Sequence, residues 1–482
     1  MKGITAAQAA MAVGGKVIYG DPGRRIGHIC LDSRKMEGDD LFVPVVGERV
    51  DAHRFICQAL AAGAGTVFTS RQESGEEVLE TVTDQCKENP DWRGNALSST
   101  WICVDDTRLA LQAFGAWCRS RTAIPLVGIT GSVGKTTTRE MVACALEAGF
   151  SVYKTPGNSN SQVGVPVTVF NIPEEAEIGV IELGMSEPGE MTRIARVAQV
   201  NCAVMTNIGE AHMEQLGSKE NILKEKLCIQ EKMAEDGALF LNGDDPLLRT
   251  VVPENSRKKI LYGLSEGCDC RGIDLHLEAG YPVFTAILGQ EQVQVRLKVM
   301  GNHMVSNALA ALAVAAYYGI PMERAASQLE QFEGFKGRQQ IFTAGGVTII
   351  DDSYNASPVS MKAGLEVLSS MPCKGRRIAV LADMKELGPD TIRFHQEVGE
   401  GQADMTSHQL VLLGEWAAEI ERGLLQAGGK IPAVKLASLE ETRQWLSDCV
   451  RAGDCVLFKG SNSMGLSKAV TYLRENLTNK TE

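Results

Sequence analysis

The segment Gly128-Ile-Thr-Gly-Ser-Val-Gly-Lys-Thr-Thr-Thr138 has the residue types needed to hold a polyphosphate. Glycines let backbone N–H groups close around phosphate oxygens, and a helix N-terminus adds positive potential. Thr130, Gly131, Ser132, Val133 and Gly134 would form the loop, Lys135 would reach the terminal phosphates, and Thr136 would hold Mg²⁺. Ile129 stands where the strict G-x-x-x-x-G-K-[ST] pattern has its first glycine. The plain alternative is a glycine-rich turn with an incidental lysine. So specific a run between a strand and a helix speaks against it.

Other chemistry-bearing residues cluster at strand ends. Glu182 closes an apolar run, and a carboxylate at the edge of a neighbouring strand can bind Mg²⁺ beside a phosphate loop. Alone it would read as a solvated loop residue. His212 follows another strand end, in Thr206-Asn-Ile-Gly-Glu-Ala-His212, and Lys226 lies about four turns further along a predicted helix. Spacing alone gives neither of these two a function. Gly157-Asn158-Ser159-Asn160 and Gly164-Val-Pro166 form a second polar loop, which reads equally well as plain surface. Asp351-Asp-Ser-Tyr-Asn-Ala-Ser-Pro358 fits an Asx turn followed by a proline-started helix. Arg338, Lys459 and Ser461 mark similar edges.

The elements that must position these residues alternate. Strands are predicted at 126–130, 179–183, 203–207 and 238–242, with helices between several of them. That alternation implies a mostly parallel sheet with helices on both faces. A helical pattern gives way to IPLVGIT near Ser120–Pro125, which sets one domain boundary. A second falls near Gly334–Gly337. After it VTIIDD, RIAVLAD, QLVLLG and DCVLFKG restart the alternation. The first ~120 residues are less regular and read as α/β. The predicted domains are 1–122, 123–334 and 335–482.

The bulk composition limits the function. A chain of 482 residues is long enough for about three domains. A formal net charge of −12 speaks against a nonspecific nucleic-acid or anionic-membrane surface. Anionic substrates would need local cations, helix N-termini or metal ions. Thirteen cysteines without metal-ligand spacing suit reduced thiols in a cytosolic protein. Ala6–Gly15 reads as a short helix and not a signal peptide, and the apolar stretch 307–320 as a buried helix too short for a bilayer. The expectation is a cytoplasmic protein without membrane insertion.

Taken together and in order, the motifs resemble those of the Mur ligases, which build the peptide of bacterial cell-wall precursors. The resemblance covers nearly the whole chain: Asp32-Ser33-Arg34, Gly38-Asp-Asp-Leu-Phe42, Gly47-Glu48 with Asp51 and His53, TGSVGKTTT, GNSNSQVGVP, Glu182-Leu-Gly, TNIGEAH, Gly301-Asn-His303 with Asn307, DDSYNASP, LADMKELG and Lys459-Gly-Ser461. The DSYNASP segment favours the branch that adds a dipeptide. The branch adding the third peptide residue has DYAHTP-like and DNPR-like runs instead, and this chain has no DNPR-like run.

The resemblance implies a three-domain α/β fold. A central P-loop parallel-sheet ATPase domain would be flanked by an N-terminal α/β substrate domain and a C-terminal Rossmann-like domain. It implies ATP-dependent joining of D-alanyl-D-alanine to a UDP-N-acetylmuramoyl-tripeptide through an acyl phosphate, by a monomer. Lys135, His212 and Lys226 would be catalytic. Thr136 and Glu182 would hold one Mg²⁺, and His212 and a CO₂-carbamylated Lys226 a second. His303 and Asn307 would lie near adenine, with Arg338 and Asp352 reaching the nucleotide from the third domain. Ser33 and Arg34 would hold the uridine diphosphate, and Asn158, Asn160 and Ser161 the muramyl-peptide cleft. Tyr354, Asn355 and Ser357 would face the dipeptide or peptide stem. Four positions depart from the family pattern: Cys228 for a glutamate, Asn462 for an arginine, Ala52 for a glycine, and LADM for LGDM. Asn462 bears on the grip of the peptide carboxylate. Folylpolyglutamate synthase shares the chemistry but lacks a comparable N-terminal DSR domain. A P-loop switch or motor would hydrolyse ATP without an amide product. A non-catalytic nucleotide-binding scaffold would not need Lys135, Glu182, His212 and Lys226 intact.

Overall fold

The computed structural model describes residues 3–47, 50–403 and 405–479; Glu48 of the quoted motifs lies outside them. Three larger sheets organise the chain. The central one has nine strands, with Leu126–Thr130 between Ile178–Glu182 and Cys202–Met205. All three are buried along their whole length. Parallel strands covered by helices on both faces read as unbroken apolar runs, which is why these were visible in sequence. Their C-terminal ends lie side by side. Glu182 pairs with Ile129, and Met205 with Thr130.

One end of the central sheet, three of its nine strands, departs from the expected parallel order. Cys270–Glu278, Tyr281–Leu288 and Glu291–Arg296 form an antiparallel extension. The first turn is Ala279-Gly280, both at positive φ. Alanine there replaces the Asn or Asp that usually signals such a hairpin. The buried helix predicted at 307–320 spans His303–Tyr317 and packs along Lys135–Leu146. Gly319, at φ 81°, supplies the left-handed residue that stops it.

The N-terminal sheet holds strands Lys16–Tyr19, Thr100–Cys103, Ala64–Thr69, Asp40–Phe42 and His28–Cys30. One apolar core runs from Ile4 to Phe332 and joins this part to the central sheet. The joint is the helix Thr107–Ser120, packed on Ala6–Val13, Gly164–Phe170 and Glu190–Ala198. The C-terminal six-stranded sheet is parallel except for Gln340–Ala344, and separate apolar clusters form on its strands. Among the described residues no helix is long and apolar enough to cross a membrane.

Candidate active site

The phosphate loop leaves strand Leu126–Thr130 and enters helix Lys135–Leu146. Gly134 caps that helix at φ 84°. At Gly131 a Cβ would land 1.9 Å from the Thr206 hydroxyl oxygen, so only glycine lets the chain pass. The Thr206–Gly209 segment holds the loop in shape. The Ser132 N–H donates to the Asn207 carbonyl (3.0 Å) and the Val133 N–H to Asn207 Oδ1 (2.9 Å). Thr206 Oγ1 donates to the Val133 carbonyl (2.6 Å).

Two lysines meet at this loop. Lys135 Nζ donates to the carbonyls of Gly131 (2.8 Å) and Ser132 (3.3 Å). Lys226, on helix Lys219–Leu227, is fully buried and donates to the same Gly131 carbonyl at 3.0 Å. Burial pushes the Lys226 ammonium well below the usual lysine value, and the neighbouring Lys135 charge adds to the push. The Lys135 ammonium is lowered as well, again chiefly by burial.

Beside the loop, Thr136 Oγ1 donates to Glu182 Oε2 at 3.0 Å, which brings the predicted pair together. Asn160 Nδ2 donates to the other carboxylate oxygen at 2.7 Å. Arg139 completes the set. Its side chain is 1% exposed, and it donates to Glu182 (3.1 Å), the Gly157 carbonyl (2.8 Å) and Glu140. Lys154 Nζ then reaches Glu140 at 2.6 Å. Hydroxyl and carboxylate oxygens at one point suit a hard divalent cation, so Thr136 and Glu182 fit Mg²⁺.

The opposite wall comes from the C-terminal part. Arg338 lies over the Tyr354 ring at 4.1 Å and reaches Thr136 Oγ1 at 3.5 Å, with its buried Nε unpartnered. Asp352 and Lys459 are register neighbours on adjacent strands and pair at 2.6 Å. Burial pushes the Asp352 carboxyl up and the Lys459 ammonium down, and each charge opposes the other's shift. Burial also lowers His303 to about 4. Asn307 accepts from Thr138 at 2.9 Å. His212, at φ 64°, faces Glu386 of the C-terminal part, Nδ1 to Oε2 3.1 Å.

A cavity of about 630 Å³ lies between the walls. It is lined by Ser132, Val133, Gly134, Lys135, Asn158, His212, His303, Asn307, Arg338, Asp352, Tyr354, Asn355 and Ser357 among others. Thirteen sequence-predicted residues therefore converge, from segments far apart in the chain. Thr136 opens onto an adjoining cavity of about 290 Å³ that shares Asn158, Arg338 and Tyr354. Ser357 also caps helix Pro358–Ser370, and Asp351 accepts from the Ser353 N–H (3.2 Å), so the plain turn reading of this segment holds beside the functional one. Thr130 is buried at the strand end with its hydroxyl unpartnered.

Other predicted residues stand apart. Ser33 is buried beside Gln58, and Arg34 is exposed and clamped by Asp32 at 2.8 and 2.9 Å. That clamp holds the Asp32 carboxyl at about 2. Ser161 is exposed and accepts from the Gly164 N–H at 3.4 Å. Lys226 bonds the Gly131 carbonyl, whereas the His212 ring faces Glu386. Among the described residues no three His, Cys, Asp or Glu side chains gather at metal-binding distance.

Residues 129–315 match the Mur ligase middle domain, 337–462 the Mur ligase glutamate ligase domain, and 25–116 the Mur ligase family catalytic domain. A UDP-N-acetylmuramoyl-tripeptide–D-alanyl-D-alanine ligase of Bacillus subtilis is 36% identical over 449 residues, covering 93% of each chain. The chain belongs to the Mur ligase family. The MurF crystal structure from Acinetobacter baumannii superposes on this Mur ligase with a TM-score of 0.83, at 29% identity and 98% coverage of both chains. The MurF ligase of Thermotoga maritima in complex with ADP gives 0.78 at 28% identity, covering 94% of this chain and 98% of its own.

Sequence reasoning about this Mur ligase missed Arg139, Glu140, Thr206 and Asn207. Arg139-Glu140 reads as a solvated pair inside a helix, and nothing local signals burial. Thr206 and Asn207 stood within a quoted motif, but only the fold shows that they brace the phosphate loop.

Proposed function

We propose that this protein joins D-alanyl-D-alanine to the terminal carboxylate of a UDP-N-acetylmuramoyl-tripeptide, converting ATP to ADP and phosphate in the cytoplasm. The observation that supports it best is the cavity itself. It faces the lysine of a phosphate loop toward an arginine and an Asp–Lys pair from another part of the chain. The full-length likeness to ligases of that name gives the substrates. We divide the chain at 122/123 and 334/335, with the hinge at Gly334–Gly337.

In the first step a carboxylate oxygen attacks the γ-phosphorus, the bond to the β-phosphate oxygen breaks, and ADP leaves. The amine nitrogen then attacks the acyl carbon. The C–O bond breaks and inorganic phosphate leaves; the nitrogen, which lost one proton of its ammonium before attack, gives up a second and keeps the third as the amide N–H. Lys135 and the loop amides of residues 130–134 hold the phosphates and offset the charge of the transferred group. Arg338 and Asp352 close over the nucleotide and exclude water from the acyl phosphate. His303 and Asn307 flank the base. Ser33 and Arg34 hold the uridine diphosphate, Asn158, Asn160 and Ser161 the muramyl peptide, and Tyr354, Asn355 and Ser357 the dipeptide or stem. Bound Mg²⁺ at Thr136 and Glu182 supplies further neutralisation of phosphate charge.

Lys226 acts here as a carbamate. CO₂ adds only to a neutral amine, releasing a proton, and a buried lysine beside Lys135 favours the neutral form. The product would be a long carboxylate, and with His212 it would supply oxygen and nitrogen ligands of the kind a second Mg²⁺ takes. Lys226→Ala should lose activity and regain part of it with a short carboxylic acid in the buffer. Lys226→Arg should be inactive, and wild-type turnover in that variant would remove the carbamate. For the overall reaction the test is product analysis. ADP and phosphate should form only with both precursor and dipeptide present, one amide per ATP. Equal ATP turnover without precursor would point to a P-loop ATPase instead.

A further inference from the structure

We infer that Glu386 is the carboxylate that receives the ammonium group of the incoming dipeptide; the inference rests on the ligase reading above. That reaction brings ATP, a carboxylate and a nucleotide sugar, all anionic, into one cavity together with the ammonium of the dipeptide. The anions are met by Lys135 and Arg338. The amine needs a carboxylate, and the cavity lining contains two, Asp352 and Glu386. Asp352 is buried and already matched by the Lys459 ammonium at 2.6 Å. Glu386 is not matched in that way. Its side chain is 60% exposed, and its Oε2 faces the His212 ring. The lysine next to it, Lys385, sets its own charge against Asp383 at 3.0 Å.

The turn that carries Glu386 is built to hold it in place. Glu386 has φ 64°, a left-handed backbone that a glutamate keeps only where its surroundings impose it. Asp383 accepts from the N–H groups of Trp416 and Ala417, each at 2.9 Å. The Lys385 N–H donates to Ser461 Oγ at 2.9 Å. On the far side the turn following Glu386 packs against helix Met213–Leu216 of the central part. The strained turn thus sets an open carboxylate at the seam between the two walls. An ammonium donating N–H bonds to it would sit in the cavity that also receives the phosphate-loop lysine.

The experiment is steady-state kinetics on the full chain with Mg²⁺, each of the three substrates varied in turn. Glu386→Gln keeps size and shape and removes the charge. We expect the KM for D-alanyl-D-alanine to rise about 10- to 100-fold, the range of one charged hydrogen bond. The KM values for ATP and precursor should move less than about twofold. A dipeptide analogue with a hydroxyl in place of the amine should inhibit variant and wild type equally. Glu386→Asp should recover part of the loss. An unchanged dipeptide KM overturns the inference. So does an equal rise in all three KM values, which is the signature of a closure contact with His212. If wild-type protein forms no amide from the dipeptide, the ligase reading fails and this inference falls with it.

Discussion

Replacing Arg139 with methionine should destabilise the protein strongly, because it leaves the buried Glu182 carboxylate without its paired cation. Arg139 is 1% exposed and Glu182 2%. Removing one partner of a buried pair costs about 3–5 kcal/mol, mostly through the charge left behind. The lower end applies here. Glu182 keeps the Thr136 hydroxyl and the Asn160 amide, and Glu140 keeps Lys154. At about 2–4 °C per kcal/mol for a unit of 150–250 residues, a loss of about 3 kcal/mol lowers the unfolding midpoint by about 6–12 °C. Thermal unfolding followed by circular dichroism reads this directly. Adding Glu182→Gln to Arg139→Met should restore at least half of the lost midpoint, since it removes the stranded charge, while activity stays low. A single variant within about 0.5 kcal/mol of wild type, the range of ordinary surface changes, would refute the reasoning. So would a double variant less stable than the single one.

Lys135→Ala should slow turnover by roughly 10³-fold or more, the scale of transition-state charge stabilisers, with unchanged circular dichroism because its ammonium bonds only two loop carbonyls. His303 is held near 4, below the usual 6.5, so the fold favours its neutral form. The stability this gives is present above about pH 6.5 and lost as pH falls from there toward 4. The unfolding midpoint of His303→Gln should therefore fall less than wild type over that window; parallel curves would count against it. Arg34→Ala should raise the KM for the UDP precursor about tenfold without changing the KM for ATP, because the side chain is exposed and held only by Asp32. Saturating ATP plus precursor should compact the protein in solution scattering if Gly334–Gly337 is a hinge.

Much of the site was readable because its residues sit where strands end. Glycines at 131 and 134, a lysine at 135 and a carboxylate at 182 follow apolar runs whose parallel arrangement puts their ends side by side. Burial of Lys226 was not readable. Lys219–Leu227 is a polar helix, and nothing in KENILKEKL distinguishes the one lysine that turns inward. Arg139 was missed for the same reason. The contact between His212 and Glu386 depends on how two parts of the chain close on each other, which no local pattern records. The antiparallel extension at 270–296 escaped because two of its three strands are largely exposed and its first turn has alanine where Asn or Asp is usual.

The measurement that tests the chemistry most directly uses a precursor labelled with ¹⁸O in its terminal carboxylate. Activation as an acyl phosphate transfers one carboxylate oxygen to phosphorus, so each amide formed should release one phosphate carrying ¹⁸O. Amide formation with unlabelled phosphate would contradict the account.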